Sequence, residues 1–257
     1  MSLMKYLTAP GLDLLEQSRI RVCKFASTND PTEGLAALDY PTDKAFWGKD
    51  FEARSNKDPI FWKASLLKKY APTEFENMKE QYAVSMISQK AAAEKELPIK
   101  LLEGISQMVF FISMTESYPN ETLWTRYAAS HHGFIVEFED GHPFFQQCIH
   151  PSGLLKRIVG IQYNSEMCRV EFGSHAPPVE LLFSKLSKQW QEEDEIRILL
   201  FHTFCSADHG CHYADVPRES IRGVILGSRC AANVRDRINK INDDLFLSKL
   251  VIRDELR

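Results

Sequence analysis

The sequence lacks any apolar run long enough to cross a bilayer, because no stretch approaches the roughly 18 apolar residues that a membrane span needs. Its start also lacks the apolar segment of a signal peptide. An excess of basic residues is missing too, since the formal net charge is -4 and no global field attracts polyanions. These absences predict a soluble, cytoplasmic protein with no membrane partner, and they disfavour nucleic acid as a partner.

Regularly spaced cysteines are also absent. The six cysteines are spread over 257 residues without a paired Cys-x-x-Cys. A chain of this length can fold without disulfides, so we expect six reduced, unbridged thiols. His202, Cys205, His209, Cys211 and His212 crowd one stretch, but their spacing fits no standard zinc pattern. We therefore predict no metal site and a hairpin loop in that stretch.

Glycine is missing from a long stretch of the first half, which favours helix. After Thr73-Glu-Phe-Glu76, which has the pattern of a capping box, no glycine occurs until Gly104. The intervening residues are rich in Ala, Glu, Lys, Gln and Met, which are strong helix formers. We expect a helical segment over about residues 41–107, with a long helix that begins near Thr73 and is broken by Pro98.

Apolar and aromatic runs typical of strands dominate after residue 107. Strands are expected at residues 5–7, 19–25, 108–114, 134–138, 154–163, 196–201, 213–216, 223–226 and 247–252, and further helices at 10–17, 123–128, 179–188 and 232–241. Because helices and strands are segregated along the chain, we predict the α+β class, with segment 41–107 packed against a mainly antiparallel mixed sheet. Residues 1–257 are expected to form a single domain, with 41–107 as a candidate helical subdomain.

Charged residues cluster at the start of one expected strand. Because alternate side chains of a strand share a face, Glu193, Glu195 and Arg197 would lie together. Two carboxylates this close raise one pKa unless a cation intervenes, and Arg197 is the candidate cation. The simpler alternative is a solvent-facing strand start with an ion pair.

Two further segments offer candidate binding residues. Trp124 and Tyr127 are three apart, so they project from one side of a helix, either as core aromatics or as the wall of a pocket. Gly133, which follows, is expected to take a positive φ at the helix end. Asn29 and Asp30 belong to a turn that could also reach over a site at the sheet edge.

Several motifs together resemble a bacterial family, the domain of unknown function 2971. The matching segments are Lys5-Tyr6, Asn29-Asp30-Pro31-Thr32-Glu33, Phe111-Ile112-Ser113, Trp124-Thr-Arg-Tyr127-Ala128, His131-His132-Gly133, Trp190-Gln-Glu-Glu193-Asp-Glu195-Ile-Arg197 and Val224-Ile-Leu-Gly227. They run in order from residue 5 to about residue 230. The chain departs from the family pattern where Phe-Ile-Ser stands in place of the common Cys-Phe-Ser. The resemblance implies a single bacterial domain and leaves its activity open.

The order of these motifs is also similar to that of ADP-ribosyltransferase-like folds. Those enzymes carry a basic or aromatic motif on the first strand, a Ser-Thr strand and a Glu-x-Glu strand. The corresponding residues here are Tyr6, then Ser113 and Thr115, then Glu193 and Glu195. The chain departs by having Lys-Tyr where that superfamily has arginine or histidine on the first strand. The resemblance implies an NAD-consuming transferase or glycohydrolase with NAD as substrate, and a toxin or a phage-defence effector as its role.

The expected chemistry gives these residues roles. Loss of nicotinamide passes through an oxocarbenium-like ribose, which a carboxylate bonded to the ribose hydroxyl stabilises. We predict Glu195 as the essential carboxylate, in a pocket shared with Ser113 and Trp124, and Glu193 as the group that orients the acceptor. Thr115, Tyr127, Arg197, Asn29 and Asp30 complete the candidate binding set.

Two other classes stay open. One is a non-catalytic module in which the same polar face binds a nucleotide or a peptide. The other is a metal-dependent nuclease that would use Glu137 and Glu139 together with Glu193 and Glu195. Glu137 and Glu139 are more simply explained as the exposed face of a strand.

Overall fold

A computed structural model describes residues 2–146, 158–174, 179–186, 188–246 and 250–255. The chain forms two compact units. The first comprises Met1–Gly34, Leu102–Glu166 and Leu182–Arg257, and the second comprises Leu35–Leu101 and Met167–Leu181.

The described residues contain the following elements. The strands are β1 (Ser2–Leu7), β2 (Arg19–Lys24), β3 (Ala37–Asp39), β4 (Val109–Thr115), β5 (Phe134–Glu139), β6 (Ile158–Gly160), β7 (Gln162–Tyr163), β8 (Arg169–Glu171), β9 (Ser184–Lys185), β10 (Glu195–Phe201), β11 (Cys205–Asp208), β12 (Cys211–Asp215), β13 (Ile221–Leu226) and β14 (Val251–Asp254). The α-helices are α1 (Asp13–Gln17), α2 (Lys44–Lys57), α3 (Trp62–Tyr70), α4 (Pro72–Ser88), α5 (Lys90–Met108), α6 (Glu121–Tyr127), α7 (Pro143–Gln146) and α8 (Ala232–Leu245).

The first unit is built on a ten-stranded sheet. Its main path is β11-β12-β2-β4-β1-β5-β13-β14, while β10 pairs with β4 and β6 pairs with β10. All these pairs are antiparallel except β13 with β14. All strands but β1 and β2 come from after residue 107. The predicted α+β class and the mainly antiparallel sheet are therefore confirmed.

The sheet forks at β4. Strand β10 pairs along one edge of β4 from Val109 to Thr115. The other edge is shared, because β2 pairs at Phe110 and Phe111 whereas β1 pairs only at Thr115. Between these points, the described strands leave residues 112–114 without a strand partner on that edge. The sheet thus continues from this edge of β4 in two branches, one formed by β1-β5-β13-β14 and the other by β2-β12-β11.

The alternation of side chains sorts the central strands into an apolar face and a polar face. On the apolar face, Ile112 and Ile198 lie opposite each other and are fully buried. The main core on this face includes Leu3, Leu14, Leu15, Ile20, Val22, Phe110, Met114, Phe134, Val136, Leu200, Val224 and Ile238. On the opposite face, Arg197 lies across from Ser113, and Glu195 lies across from Thr115. The register thus places the predicted polar residues side by side.

The second unit contains α2, α3, α4 and most of α5, together with the parallel pair β3–β8. Its cores form around two aromatic side chains. Trp47 packs with Tyr40 and Ala83, and Phe51 packs with Ala64 and Phe75. The burial of such large apolar side chains supplies this unit with a hydrophobic core of its own.

Three local predictions were wrong. The capping box is absent, because Thr73 makes no cap; helix α4 does begin near Thr73, at Pro72, whose fixed φ suits the first helical position. Pro98 lies inside α5, where its ring is buried, and the break falls at Gln89 instead. Residues 179–186 hold a short 3-10 turn and β9 rather than a helix, because Lys185 is held by tertiary ion pairs. The expected strands at 154–163 and 247–252 lie partly outside the described residues.

Gly133 is required by a close backbone approach rather than by a positive φ. The residues with positive φ in this turn are Ala129, Ser130 and His131, so that expectation for Gly133 was wrong. A Cβ built on Gly133 would lie 2.0 Å from the carbonyl oxygen of Leu7. No side chain fits at this distance, since the nearest atoms belong to backbone.

We therefore expect Gly133→Ala to lower the free energy of unfolding by about 2 to 3 kcal/mol. The matched control is Gly104→Ala in α5, where nothing lies within 4 Å of the added Cβ. Alanine favours helix over glycine, so the control should gain about 0.5 to 1 kcal/mol. Urea unfolding of both variants measures the difference, and equal stabilities would contradict the explanation.

Candidate functional site

A cavity of about 220 Å³ lies at the fork of the sheet, within the first unit. Its polar lining consists of Lys5, Tyr6, Cys23, Ser27, Thr28, Asn29, Glu33, Ser113, Thr115, Tyr127, Lys185, Glu193 and Glu195. Its apolar lining consists of Met4, Phe111, Met114 and Leu123. The cavity is therefore lined by β1, β2 and β4, by the loop after β2 and by the segment that leads into β10.

Most of the candidate residues from the sequence line this one cavity. They are Tyr6, Asn29, Ser113, Thr115, Tyr127, Glu193 and Glu195. The other three, Asp30, Trp124 and Arg197, do not line it. Segments more than a hundred residues apart thus contribute side chains to one cavity.

The two carboxylates are bridged by a lysine that the sequence did not reveal. The Nζ atom of Lys185 lies 2.6 Å from Oε2 of Glu195 and 3.2 Å from Oε2 of Glu193. All three side chains are buried. Burial alone would lower the pKa of Lys185, but the two carboxylates outweigh it and raise the pKa above its ordinary value. The lysine therefore stays protonated between them.

The backbone at the two glutamates differs from the predicted strand. Glu193 ends a 3-10 helix (Lys188–Glu193), and β10 begins only at Glu195. Asp194, between them, has a φ of 45°. The expectation that Glu193, Glu195 and Arg197 share one face of a strand was wrong for Glu193. The turn at Asp194 nevertheless brings both carboxylates to the same lysine.

Glu193 has its remaining oxygen held from α6. Its Oε1 atom accepts a hydrogen bond of 2.7 Å from the hydroxyl of Tyr127 and lies 3.2 Å from Nη1 of Arg126. Burial, and then the hydrogen bond to Glu193, raise the pKa of Tyr127. The hydroxyl of Tyr127 is therefore a fixed donor at neutral pH, and Glu193 is a rigid acceptor.

Arg197 holds the carboxylate of Glu195 in place. The Nε and Nη2 atoms of Arg197 lie 3.0 and 3.3 Å from the two oxygens of Glu195. The same guanidinium pairs with Glu33 and donates to the carbonyl oxygen of Leu182 at 3.1 Å. Burial lowers the pKa of Arg197 to about 9, which leaves it charged at neutral pH. Arg197 is a positioning residue beneath the cavity.

Burial governs the ionisation of Glu195. Desolvation raises the pKa of its carboxyl group, and contacts with Lys185 and Ser113 oppose that rise. The backbone N–H of Glu195 donates to the hydroxyl of Tyr163 at 2.9 Å. Burial also raises the pKa of Tyr163, to about 12. Glu195 therefore lies in a desolvated, rigid setting. The pKa of its carboxyl group is raised, as predicted from the sequence.

Lys5 is the second cation that sequence analysis did not place in the site. Its Nζ donates to the carbonyl oxygen of Ser113 at 2.6 Å, on the unpaired stretch of β4. Among the described residues, no carboxylate lies within ion-pair distance of Lys5. Burial lowers the pKa of this amine. An amine with a single neutral acceptor in a cavity is suited, when protonated, to an anionic group of a ligand.

Trp124 does not form the predicted wall of the cavity. Its ring is fully buried and packs edge-on against Tyr6, with the centroids 5.2 Å apart. On its other side it stacks on His131. The core reading of Trp124 therefore holds, because an indole at this position fills the space between α6 and β1. The aromatic lining is supplied by Tyr6, Phe111 and Tyr127.

Asp30 serves its own loop rather than the cavity. Its Oδ1 atom accepts hydrogen bonds from the backbone N–H and the hydroxyl of Thr32, at 2.9 and 2.6 Å. This is the local turn that Asp favours. The turn presents Asn29 and Glu33 to the cavity. The same loop thus has a structural residue and two lining residues.

The other candidate groups lie elsewhere. Glu137 pairs with Arg253 at 2.6 Å, and neither Glu137 nor Glu139 lines the cavity. The Cys/His-rich stretch forms the antiparallel hairpin β11–β12, which confirms that prediction. Cys148 lies outside the described residues, and no disulfide joins the five described cysteines. In the part of the chain that the structure describes, no group of three or more His, Cys, Asp or Glu is arranged to hold a metal ion.

Comparison with known proteins finds no match for this chain among family models, curated proteins or solved structures. The resemblances drawn from the sequence motifs therefore stay predictions. Of the helices within the described ranges, none combines the length and the apolar character needed to cross a membrane.

Proposed function

We propose that this protein is an NAD-consuming enzyme, of the ADP-ribosyltransferase-like or NAD glycohydrolase-like kind. One observation carries the proposal: Tyr6, Ser113 and Glu195, from three distant segments, line a single cavity. They supply an aromatic wall, a hydroxyl group and a desolvated carboxylate. These are the groups that a ribosyl-nicotinamide moiety requires.

The reaction breaks the bond between the ribose carbon and the nicotinamide nitrogen. The bonding electrons go to the nicotinamide ring, which loses its positive charge and leaves as a neutral base. Positive charge grows on the ribose, and the carboxylate of Glu195 stabilises it through a ribose hydroxyl. Water or an acceptor hydroxyl then bonds to the same carbon and releases its proton, with Glu193 as the nearby acceptor.

The size and charge of the cavity fit one half of a dinucleotide. Typical small-molecule sites enclose about 300 to 1,000 Å³. The 220 Å³ here would enclose one ring and its sugar, while the remainder extends outward. Lys5, which has no carboxylate partner among the described residues, supplies a positive charge toward the pyrophosphate.

Incubation of the purified chain with NAD tests the proposal, with free nicotinamide and ADP-ribose quantified by chromatography. We expect nicotinamide release above the rate of NAD alone. Glycohydrolysis gives equal amounts of nicotinamide and ADP-ribose, whereas transfer to an acceptor gives less free ADP-ribose. If no nicotinamide is released, either in water or with added acceptor proteins, the proposal that this chain is an NAD-consuming enzyme is wrong.

A specific observation favours a second candidate, a nucleotide-binding module without chemistry. Both oxygens of Glu195 are already held, because Arg197 contacts each of them and Lys185 contacts one. Its charge is thus compensated within the protein, which weakens its field on a ligand. Saturable NAD binding in calorimetry, without nicotinamide release, would favour this candidate over the enzyme.

Either candidate predicts a role for Lys5 in binding. We expect Lys5→Gln to weaken NAD binding about tenfold, because a charge-assisted contact to phosphate is lost. Nicotinamide alone, which has no phosphate, should bind both forms equally. The matched control is Lys24→Gln on β2, a lysine that does not line the cavity.

The pH dependence of NAD binding gives an additional check on Lys5. Its pKa is lowered, so the ammonium loses its proton at a lower pH than a free lysine does. NAD affinity of the wild type should therefore fall as the pH rises through that lowered pKa, and Lys5→Gln should lack this fall. Calorimetry measures both effects, and equal affinities for wild type and Lys5→Gln would contradict the role of Lys5.

A further inference from the structure

Helix α3 of the second unit carries exposed apolar side chains in a row. Trp62, Leu66 and Tyr70 are spaced four residues apart, so they lie on one side of the helix. They are 57%, 50% and 71% exposed. Ile60, in the 3-10 turn just before the helix, is 83% exposed. Single exposed apolar residues such as Val84 are ordinary, but four on adjacent turns mark an interaction surface.

This row is not the face that packs into the core of the unit. Ala64 is 1% exposed and packs with Phe51 and Phe75, and Leu67 joins the same cluster. The inner side of α3 is therefore already buried. The helix thus has a second apolar face, which the core of its own unit does not use.

Lysines flank the exposed row. The Nζ atom of Lys63 lies 5.6 Å from the ring centroid of Trp62, and that of Lys69 lies 5.0 Å from the ring centroid of Tyr70. From residue 59 to residue 73 the sequence has three lysines and neither Asp nor Glu. Ile60, Trp62, Leu66 and Tyr70, together with Lys63 and Lys69, form what we call the α3 stripe. It is an apolar row with a positive rim.

We propose that the α3 stripe docks on an anionic phospholipid surface. Tryptophan and tyrosine favour the headgroup level of a bilayer, and aliphatic side chains such as Ile60 and Leu66 favour the acyl boundary below it. Lysine stems run along apolar surface while their charged heads reach lipid phosphates. Charge complementarity selects this partner over a purely apolar protein surface.

The aliphatic residues also distinguish a bilayer from a nucleic acid. Single-stranded nucleic acid would use the rings of Trp62 and Tyr70 for stacking and the lysines for phosphates. Ile60 and Leu66 would gain little there, although at least half of each side chain is exposed. A bilayer accommodates the whole set. The observations therefore favour the lipid surface.

Such docking is a surface contact and not a span. Helix α3 has nine residues, about 14 Å at 1.5 Å per residue, which is half the thickness of a hydrocarbon core. The expectation of no membrane partner was based on the lack of a long apolar run. That criterion does not apply to a short amphipathic helix that lies in the interface.

Vesicle flotation of the full chain tests the proposal. The probes are vesicles of phosphatidylcholine alone and vesicles with equal parts of phosphatidylserine and phosphatidylcholine. We expect binding to the anionic vesicles, weaker binding to the neutral ones, and release of the protein by high salt. Equal binding to both kinds, or binding to neither, would overturn the proposal.

Two variants assign the binding to the stripe. Lys63→Gln combined with Lys69→Gln should weaken partition onto anionic vesicles about thirtyfold. Trp62→Ser combined with Leu66→Ser should abolish detectable partition, because the inserted apolar groups are lost. Both changes lie on an exposed face, so the fold is expected to persist, and circular dichroism checks it. Val84→Ser, an exposed apolar residue outside the stripe, is the matched control.

The same variants also distinguish other partners that could bind the α3 stripe. If vesicles do not bind and the chain instead dimerises in a manner that Trp62→Ser abolishes, the occupant is a second copy and the lipid proposal is wrong. If a single-stranded oligonucleotide is retained in place of vesicles, it is wrong as well. Partition that is identical in the wild type and the stripe variants would also overturn the assignment.

Discussion

Replacement of Glu195 by glutamine is expected to lower the rate of nicotinamide release at least about a hundredfold. The carboxylate is the group proposed to stabilise positive charge on the ribose, and loss of such a group costs about 3 kcal/mol or more in barrier height. Glutamine keeps the size of the side chain and removes only the charge. The measurement is single-turnover nicotinamide release from NAD by wild type and Glu195→Gln at equal protein concentration.

The ion pairs around Glu195 allow this variant to fold. In Glu195→Gln, Lys185 still contacts Glu193 and Arg197 still contacts Glu33. Each buried cation thus keeps one carboxylate, so the loss is smaller than for an unpaired buried charge. Thermal unfolding of the variant checks this directly, and NAD affinity shows whether the site is retained.

The matched control is Glu137→Gln. Glu137 is also a buried carboxylate on the main sheet, paired with Arg253, but it does not line the cavity. A comparable loss of stability with unchanged nicotinamide release is expected. If both variants lose turnover equally, or if neither does, the role of Glu195 is wrong.

The pH profile gives an independent readout of the same residue. Burial raises the pKa of Glu195, so its carboxylate is protonated at a higher pH than an ordinary glutamate. Wild-type turnover should therefore decline on the acid side as the pH falls through that raised pKa. The residual activity of Glu195→Gln should lack this decline, since an amide does not titrate there.

Whether the sequence could predict a residue of this site depends on how far along the chain the contacts that place its side chain lie. Ser113 and Thr115 alternate on an apolar strand, and Glu195 begins another, so the period of two places them on one face. The pairing register of β4 with β10 then brings them together. The alternation follows from local pattern, whereas the register joins distant strands. In the sequence, these residues are grouped through the resemblance to ADP-ribosyltransferase-like folds.

The lysines could not be found in that way. Lys185 lies in a segment whose composition favours helix, but two distant contacts hold it in an extended conformation. Strand β9 pairs with β7, and the buried carboxylates of Glu193 and Glu195 hold the side chain. Lys5 enters the site because β1 and β2 diverge from β4, a feature of three strands far apart in sequence. Its Lys-Tyr position was noticed, but nothing local indicates the fork.

The predictions for Trp124 and Gly133 were wrong for a related reason. Spacing shows that Trp124 shares a helix face with Tyr127, but not which of the two is nearer the cavity. Gly133 is next to residues that themselves take positive φ, so the sequence pattern points to the wrong cause for the glycine. In both cases a neighbouring strand, β1, decides the outcome.

Arg197→Met is expected to cause the largest loss of stability, about 3 to 5 kcal/mol. The guanidinium is fully buried, lies 4.3 Å from the ring centroid of Phe111, and contacts both Glu195 and Glu33. Methionine fills much of the space but leaves Glu33 without this cation and Glu195 with Lys185 alone. Uncompensated buried carboxylates are costly. Urea unfolding at neutral pH measures the loss.

Two companion variants separate charge from packing. Arg197→Lys keeps a cation but loses the planar fork that reaches two carboxylates at once, so an intermediate loss is expected. Glu33→Gln placed on top of Arg197→Met removes one uncompensated carboxylate and should recover part of the stability. If the double variant is no more stable than Arg197→Met, packing rather than charge explains the loss.

Acid pH provides the last test of the charge account. The pKa of Glu195 is already raised by burial, and the loss of Arg197 would raise it further. A carboxyl group with a folded-state pKa above its unfolded value destabilises the fold at high pH. This penalty shrinks as the pH falls through the folded pKa and is gone below the unfolded pKa. The gap in stability between wild type and Arg197→Met should therefore narrow from neutral to mildly acidic pH. A gap that stays constant or widens would show that the ion pair is not what Arg197 contributes.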